Sequence, residues 1–247
     1  MGAGGNPGKS RGKVLVLLGP PGSGKGTQSK KLAAFLRVPH ISTGDLLRDN
    51  IRGDTGLGRR VDTSLRSGSL VSDKLVLEML SERIECHDCA AGFILDGFPR
   101  TVGQARALDR YFRKVNGKGG KWRELVVIQL VITEALLLQR VVGRRVCPLC
   151  SGTYNIHTQR PMIEDHCDKD GTLLVARADD NKNAIRVRLM QYEKQSRPVI
   201  NYYVERQEVK QLNADQSVDE VTIQLIRMIG ASSDPVINSY SDAPDCD

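Results

Sequence analysis

The chain has 247 residues, of which 40% are hydrophobic and 26% charged, and its formal net charge is +7. That length suits one or two compact domains with a full core, and the composition lies far from the low-hydrophobicity regime of disorder. No run of about 18 apolar residues occurs and the amino terminus lacks the apolar stretch of a secretory signal, so no stable membrane insertion is expected and the cytoplasm is the default location.

Residues 1–12 hold five glycines, Pro7, Lys9 and Arg11 without apolar periodicity, and read as a disordered basic tail. Residues 14–18 form an uninterrupted apolar run ending at Gly19. Residues 93–95 and 125–132 are similar candidates for strands buried on both faces, and 39–41 and 209–212 are weaker ones. Helical spacing appears over 24–36, 72–84, 102–112, 133–142 and 218–228, with Ser72 and Thr133 standing as N-caps. Such alternation predicts an α/β fold, a central parallel sheet of about five strands covered by helices on both faces in three layers. Residues 115–121 read as a solvated loop, and Cys86-His-Asp-Cys89 as a helix end with buried thiols. Residues 145–180 interrupt the alternation and carry cysteines, as an inserted subdomain would. Residues 231–247, with four acidic residues and no basic ones, read as an acidic tail.

Gly19-Pro-Pro-Gly-Ser-Gly-Lys-Gly-Thr27 follows the first strand and opens the first helix, the setting of a phosphate-binding loop. Its glycines let successive backbone N–H groups converge on one anion, the helix adds its positive end, and Lys25 supplies a full charge. The residue after the lysine is Gly26, with the hydroxyl one place later at Thr27.

This variant resembles the nucleoside monophosphate kinases, and adenylate kinases most of all. Ile41-Ser-Thr-Gly-Asp-Leu-Leu-Arg48 is similar to the family's acceptor segment. Phe93-Ile-Leu-Asp-Gly-Phe-Pro-Arg100, with Gln104 four residues on, matches its strand-to-glutamine signature. Gln139-Arg-Val-Val-Gly-Arg-Arg-Val146, Arg177-Ala-Asp-Asp180 and Ile185-Arg-Val-Arg188 resemble the segments flanking its mobile lid. The resemblance implies a P-loop core with a helical acceptor segment and an inserted small β lid. It divides the chain into core at 13–42, 73–143 and 181–230, an AMP-binding segment at 43–72 and a lid at 144–180.

It also implies ATP contacts from Gly22, Ser23, Gly24, Lys25, Gly26, Thr27, Arg140, Arg144, Thr153, Tyr154 and Gln216. AMP contacts are implied for Thr43, Arg48, Ser69, Leu70, Val71, Gly97, Phe98, Pro99, Arg100, Gln104, Arg177 and Arg188, with Arg100 on the acceptor phosphate and Gln104 on the adenine edge. Asp45 and Asp96 would hold Mg²⁺ through water. Lys25, Arg100, Arg140, Arg144, Arg177 and Arg188 form the implied catalytic set, and Asp179 and Asp180 would pair with arginines on closure. Ser69 and Gln216 stand where many members carry Lys, and Asn155 where many carry His; these departures bear on base selectivity.

Cys147-x2-Cys150 and Cys167-x2-Asp170, with sixteen residues between Cys150 and Cys167, repeat the two-knuckle spacing of a structural Zn²⁺ site with one carboxylate. His157 and His166 are alternative fourth ligands outside the knuckle register. A small lid has little core of its own, so a four-ligand metal would hold it together.

The implied reaction is the reversible, Mg²⁺-dependent transfer ATP + AMP ⇌ 2 ADP, carried out by a monomer. Its attacking atom is already an anionic phosphate oxygen, so cations and water exclusion matter more than a base. The +7 charge and the cysteines also suit a zinc-ribbon nucleic-acid module, but only 4% of residues are aromatic and the basic residues fall in kinase motifs, so no nucleic acid is expected. Gly26 and the absence of a base-recognition string argue against a switch-type GTPase.

Overall fold

A computed structural model of the chain describes residues 12–66, 71–116, 122–150, 152–176 and 182–230. Of the expected basic tail only Gly12 is described, and it opens a strand instead of belonging to the tail; the rest of that tail, the acidic tail and 117–121 of the expected loop lie outside these residues.

Five strands, β1 (Gly12–Leu18), β2 (His40–Ser42), β3 (Gly92–Asp96), β4 (Trp122–Val131) and β7 (Val209–Asn213), form one sheet in the order β2-β3-β1-β4-β7, and every pair is parallel. The apolar run of β1 has the cause expected for it: the strand lies at the sheet's centre and is buried on both sides. Val14, Val16 and Leu18 join Phe93, Leu95 and Val127 on one face. Leu15 and Leu17 join Ile94, Val126 and Ile128 on the other.

On the first face pack α4 (Asp73–Ile84), α5 (Val102–Asn116) and α8 (Arg197–Val204) through Leu80, Ile84, Leu108, Phe112, Val199 and Tyr203. On the second lie α1 (Lys25–Leu36) and α9 (Val218–Met228) through Leu32, Val221 and Leu225. The three-layer expectation holds, and burying a large apolar side chain here stabilises the fold by roughly 1.5–3 kcal/mol.

Sequence periodicity passed over α2 (Thr43–Arg52) and α3 (Gly56–Arg66), which fall within the expected acceptor segment at 43–72. They share the turn at Gly53 and pack on a satellite cluster of Val61, Leu75 and Met79, with Leu46 also reaching the core of the first face. Helix α5 continues to Asn116, past the expected end at 112. The Ser72 cap is present, its hydroxyl accepting from the Leu75 N–H. Thr133 is different: its side chain makes no cap bond, and its N–H and hydroxyl donate to Asp215 Oδ1 at 2.9 and 3.3 Å.

Cys86-His-Asp-Cys89 leads into a 3₁₀ turn (His87–Ala91) in which only Cys89 is buried, so the expectation of two buried thiols is half right; Cys86 is exposed. Burial pushes the Cys89 thiol up to about 12, keeping it a thiol.

After α6 (Glu134–Val142), the chain leaves the core for an antiparallel hairpin, β5 (Arg144–Val146) with β6 (Thr153–Asn155), and returns at α7 (Lys182–Gln191). Leu137 and Val141 of α6 pack on Ile185 of α7. A π turn (Tyr192–Ser196) links α7 to α8. Among the described residues no helix is long and apolar enough to cross a membrane.

Candidate active site

The carboxyl ends of β1 and β3 open into a cleft of about 1070 Å³, roofed by the β5–β6 hairpin. Residues 19–24 curl from β1 to α1 as a backbone cradle. Gly22 has φ +88°, and a Cβ there would stand 2.6 Å from Val141 Cγ2, so conformation and space both call for glycine. Gly26 has a different reason. A Cβ at that position would lie 3.2 Å from Asp96 Oδ2, so the loop is packed closely against this carboxylate there.

The Lys25 ammonium donates to Gly19 O and Pro20 O, both at 2.8 Å, and so braces the cradle it serves. Burial pushes its pKa down to about 8; Asp96 pulls the other way, while Arg100, Arg188 and Arg144 add to the depression. Asp96, which ends β3, feels burial against its charge. The hydrogen bond from His40 and the charges of Lys25 and Arg100 outweigh that, holding its carboxyl below the usual value. His40 Nε2 lies 3.3 Å from Asp96 Oδ2.

On the other side of Asp96, the Gly97 carbonyl accepts from Thr43 Oγ1 at 3.1 Å and from Arg100 Nε at 2.8 Å. One acceptor thus ties α2 to the turn after β3, where the Phe98–Pro99 bond is cis. Arg140 Nη2 donates to Gln216 O at 2.9 Å, bringing the end of α6 to the loop before α9.

Of the residues singled out from sequence, Gly22 to Thr27, Asp45, Asp96, Gly97, Phe98, Pro99, Arg100, Arg140, Arg144, Thr153, Tyr154, Arg188 and Gln216 all line this cleft. Thr43 is buried just behind it. Gln104 is buried with both amide ends engaged: Oε1 accepts from the Arg100 N–H and Nε2 donates to Asp73 Oδ1, each at 2.7 Å. Val71 packs with the Val61 cluster. Arg177, Asp179, Asp180, Ser69 and Leu70 lie outside the described residues, as does the side chain of Arg48.

Sequence reading missed His40, Asp73 and Gln28. Gln28 donates to Val218 O and accepts from Thr222 Oγ1, both at 2.8 Å, fixing α1 against α9. A polar residue on the buried face of α1 was the available signal.

In the segment expected to form the lid, Cys147, Cys150, Cys167 and Asp170 bring four ligand atoms within 4.8 Å of one another. Cys150 and Cys167 Sγ are 3.5 Å apart, and Cys147 Sγ is 3.3 Å from Asp170 Oδ2. A tetrahedron with Zn–S bonds of about 2.3 Å has edges near ~3.8 Å, so the set has the dimensions of a zinc site. Hydrogen bonding from Thr172 comes first among the causes that hold the Asp170 carboxyl down, keeping it anionic. His166 Nδ1 instead lies 2.8 Å from Glu164 O.

A family model described as adenylate kinase matches residues 17–208. The chain belongs to the adenylate kinase family. It is similar to an adenylate kinase of Thermoanaerobacter sp. (strain X514), 40% identical over 216 residues that span 87% of this chain and 97% of that one. One from Moorella thermoacetica is 41% identical, with the same coverage. Another, from Caldanaerobacter subterraneus subsp. tengcongensis, is 41% identical over 207 residues, 84% of this chain and 91% of the relative. The family comprises nucleoside monophosphate kinases, phosphotransferases that interconvert ATP + AMP with two ADP.

Proposed function

We propose that this chain is a Mg²⁺-dependent adenylate kinase whose donor nucleotide lies on the Gly22–Thr27 loop and whose acceptor lies against Thr43, Gly97 and Arg100. The observation carrying this reading is the convergence of Lys25, Arg100, Arg140, Arg144 and Arg188 on one cleft opposite a single deeply set carboxylate, Asp96.

Two polyanions repel each other, and the cleft offsets that repulsion with fixed cations. Arg100 takes the acceptor phosphate through its planar fork, Lys25 neutralises charge on the donor's terminal phosphates, and Arg144 and Arg188 stabilise the transferring group. Arg140 holds the Gln216 loop beside the donor base. Arg177 and Arg48 complete the set in this reading, with Ser69, Leu70 and Val71 shaping the acceptor end. No proton has to leave the attacking phosphate oxygen, so none of these groups acts as a base. Lid closure excludes water, which strengthens every charge contact.

Asp96 and Asp45, which both line the cleft, would hold Mg²⁺ through water, and a carboxylate held in its charged form at Asp96 suits a hard divalent cation. The metal supplies charge neutralisation between the donor's phosphates. Cys147, Cys150, Cys167 and Asp170 would hold Zn²⁺ in a closed sphere, so its contribution is to the lid's fold. Reduced thiolate ligands suit the cytoplasm.

A coupled assay over a matrix of nucleoside mono- and triphosphates tests the reading. AMP with ATP is expected to give the highest kcat/KM; Arg100→Ala should chiefly raise the KM for AMP, and Lys25→Met should chiefly lower kcat. Near-normal rates in both variants overturn the assignment.

A further inference from the structure

We infer that Asp73, in the first turn of α4, sets which end of the Gln104 amide faces the acceptor base, and so positions that residue to prefer adenine over guanine. The inference rests on the reading of Gln104 as the adenine contact.

A glutamine amide can be flipped with little change in shape, exchanging its donor and acceptor ends. Gln104 cannot flip freely, because its two partners have opposite and fixed characters. The Arg100 backbone N–H only donates, and it meets Oε1 at 2.7 Å. The Asp73 carboxylate only accepts, and its Oδ1 meets Nε2 at 2.7 Å. Flipping would set N–H against N–H and oxygen against carboxylate, in a side chain only 5% exposed.

Asp73 is itself held. Its Oδ2 accepts from Thr101 Oγ1 at 2.8 Å, and that hydroxyl accepts in turn from the Gln104 N–H at 3.1 Å. A Cβ on Gly103 would stand 3.2 Å from the same Oδ2, so α5 leaves the carboxylate just enough room.

Each amide end keeps one further hydrogen-bonding position, a lone pair on Oε1 and an N–H on Nε2. Adenine offers a donor at N6 and an acceptor at N1; guanine offers the reverse at O6 and N1. With the adenine contact assigned to Gln104, an amide locked with Oε1 toward the 6-position and Nε2 toward N1 matches only the first pair, and a buried mismatch is strongly selective.

The test compares kcat/KM for AMP with that for GMP, at saturating ATP, in wild type, Asp73→Ala, Asp73→Asn and Gln104→Leu. Asp73→Ala is expected to lower the AMP preference by about tenfold and raise the KM for AMP, while the KM for ATP stays put. Asp73→Asn should keep most of the preference, because asparagine can leave its oxygen on Gln104 and turn its amino group to Thr101. If Asp73→Ala does not fold, Asp73→Ser is read in its place, since a hydroxyl is too short and too free in character to fix the amide.

A merely structural role for Asp73 would lower rates with both acceptors alike and leave their ratio intact. That ratio, unchanged in Asp73→Ala or Asp73→Ser but collapsed in Gln104→Leu, overturns the inference alone. A ratio unchanged in Gln104→Leu overturns the base contact and the inference with it.

Discussion

Asp96 Oδ2 stands 3.2 Å from the point that a Cβ on Gly26 would occupy. The phosphate loop and the carboxylate at the end of β3 are therefore fitted to one another through a missing side chain. Gly26→Ala is expected to push Asp96 back by a few tenths of an ångström and to lower kcat about tenfold, with the thermal midpoint nearly unchanged. Steady-state kinetics at saturating Mg²⁺ with a parallel melt check this; full turnover in Gly26→Ala would break the link.

The Lys25 pKa of about 8, against an ordinary 10.5, makes two pH effects testable. The free enzyme loses the charge above pH 8, so kcat/KM for ATP should fall there, and Lys25→Arg should move that fall upward while lowering the overall rate. Stability runs the other way. Between about 8 and 10.5 the unfolded chain binds the proton that the folded chain has released, so folding grows more favourable as pH rises. Lys25→Met should be more stable than wild type at pH 7, with the gap closing by pH 10; urea midpoints at both values measure it.

Loss of a lid ligand should act locally. Cys150→Ser is expected to lower bound zinc from one equivalent to near zero by elemental analysis and to open residues of the lid to proteolysis, while Asp170→Cys retains the metal. A chelator should reproduce the first result in the wild type. Zinc-free protein with a protease-resistant lid would refute the structural role.

Asn155 joins the β5–β6 hairpin to α6. Its Nδ2 donates to Arg140 O at 2.8 Å, and its Oδ1 accepts from the His157 and Thr158 N–H groups at 2.9 and 3.2 Å. Asn155→Ala is expected to cost the hinge about 1–3 kcal/mol, raising the KM for ATP and speeding amide exchange over residues 153–159. Unchanged exchange there would argue against the tether.

The central strands were legible in the sequence for one reason: a strand buried on both faces admits apolar residues at every position, as 14–18 and 93–95 show, whereas the partly exposed edge strands β2 and β7 gave weaker signals. The phosphate loop and the cysteine knuckles were legible because their spacing is local. Helices α2 and α3 were reached only through the family resemblance, which implied a helical acceptor segment, and their apolar side chains meet on one small cluster with Leu75 and Met79. Asp73 and His40 were hidden because each matters through a partner 31 or 56 residues away. Asn155 was visible only as a departure from the family's histidine, while its bonds to the hinge emerge in three dimensions.

The hairpin leaves the core at α6 and rejoins it at α7, and Leu137, Val141 and Ile185 close these two crossings into one apolar seam. Val141 also presses on the turn at Gly22. Any change that loosens this seam should therefore also disturb the turn at Gly22, because Val141 belongs to both. Hinge and binding loop are in this sense one joint, and wear at either would be felt at both.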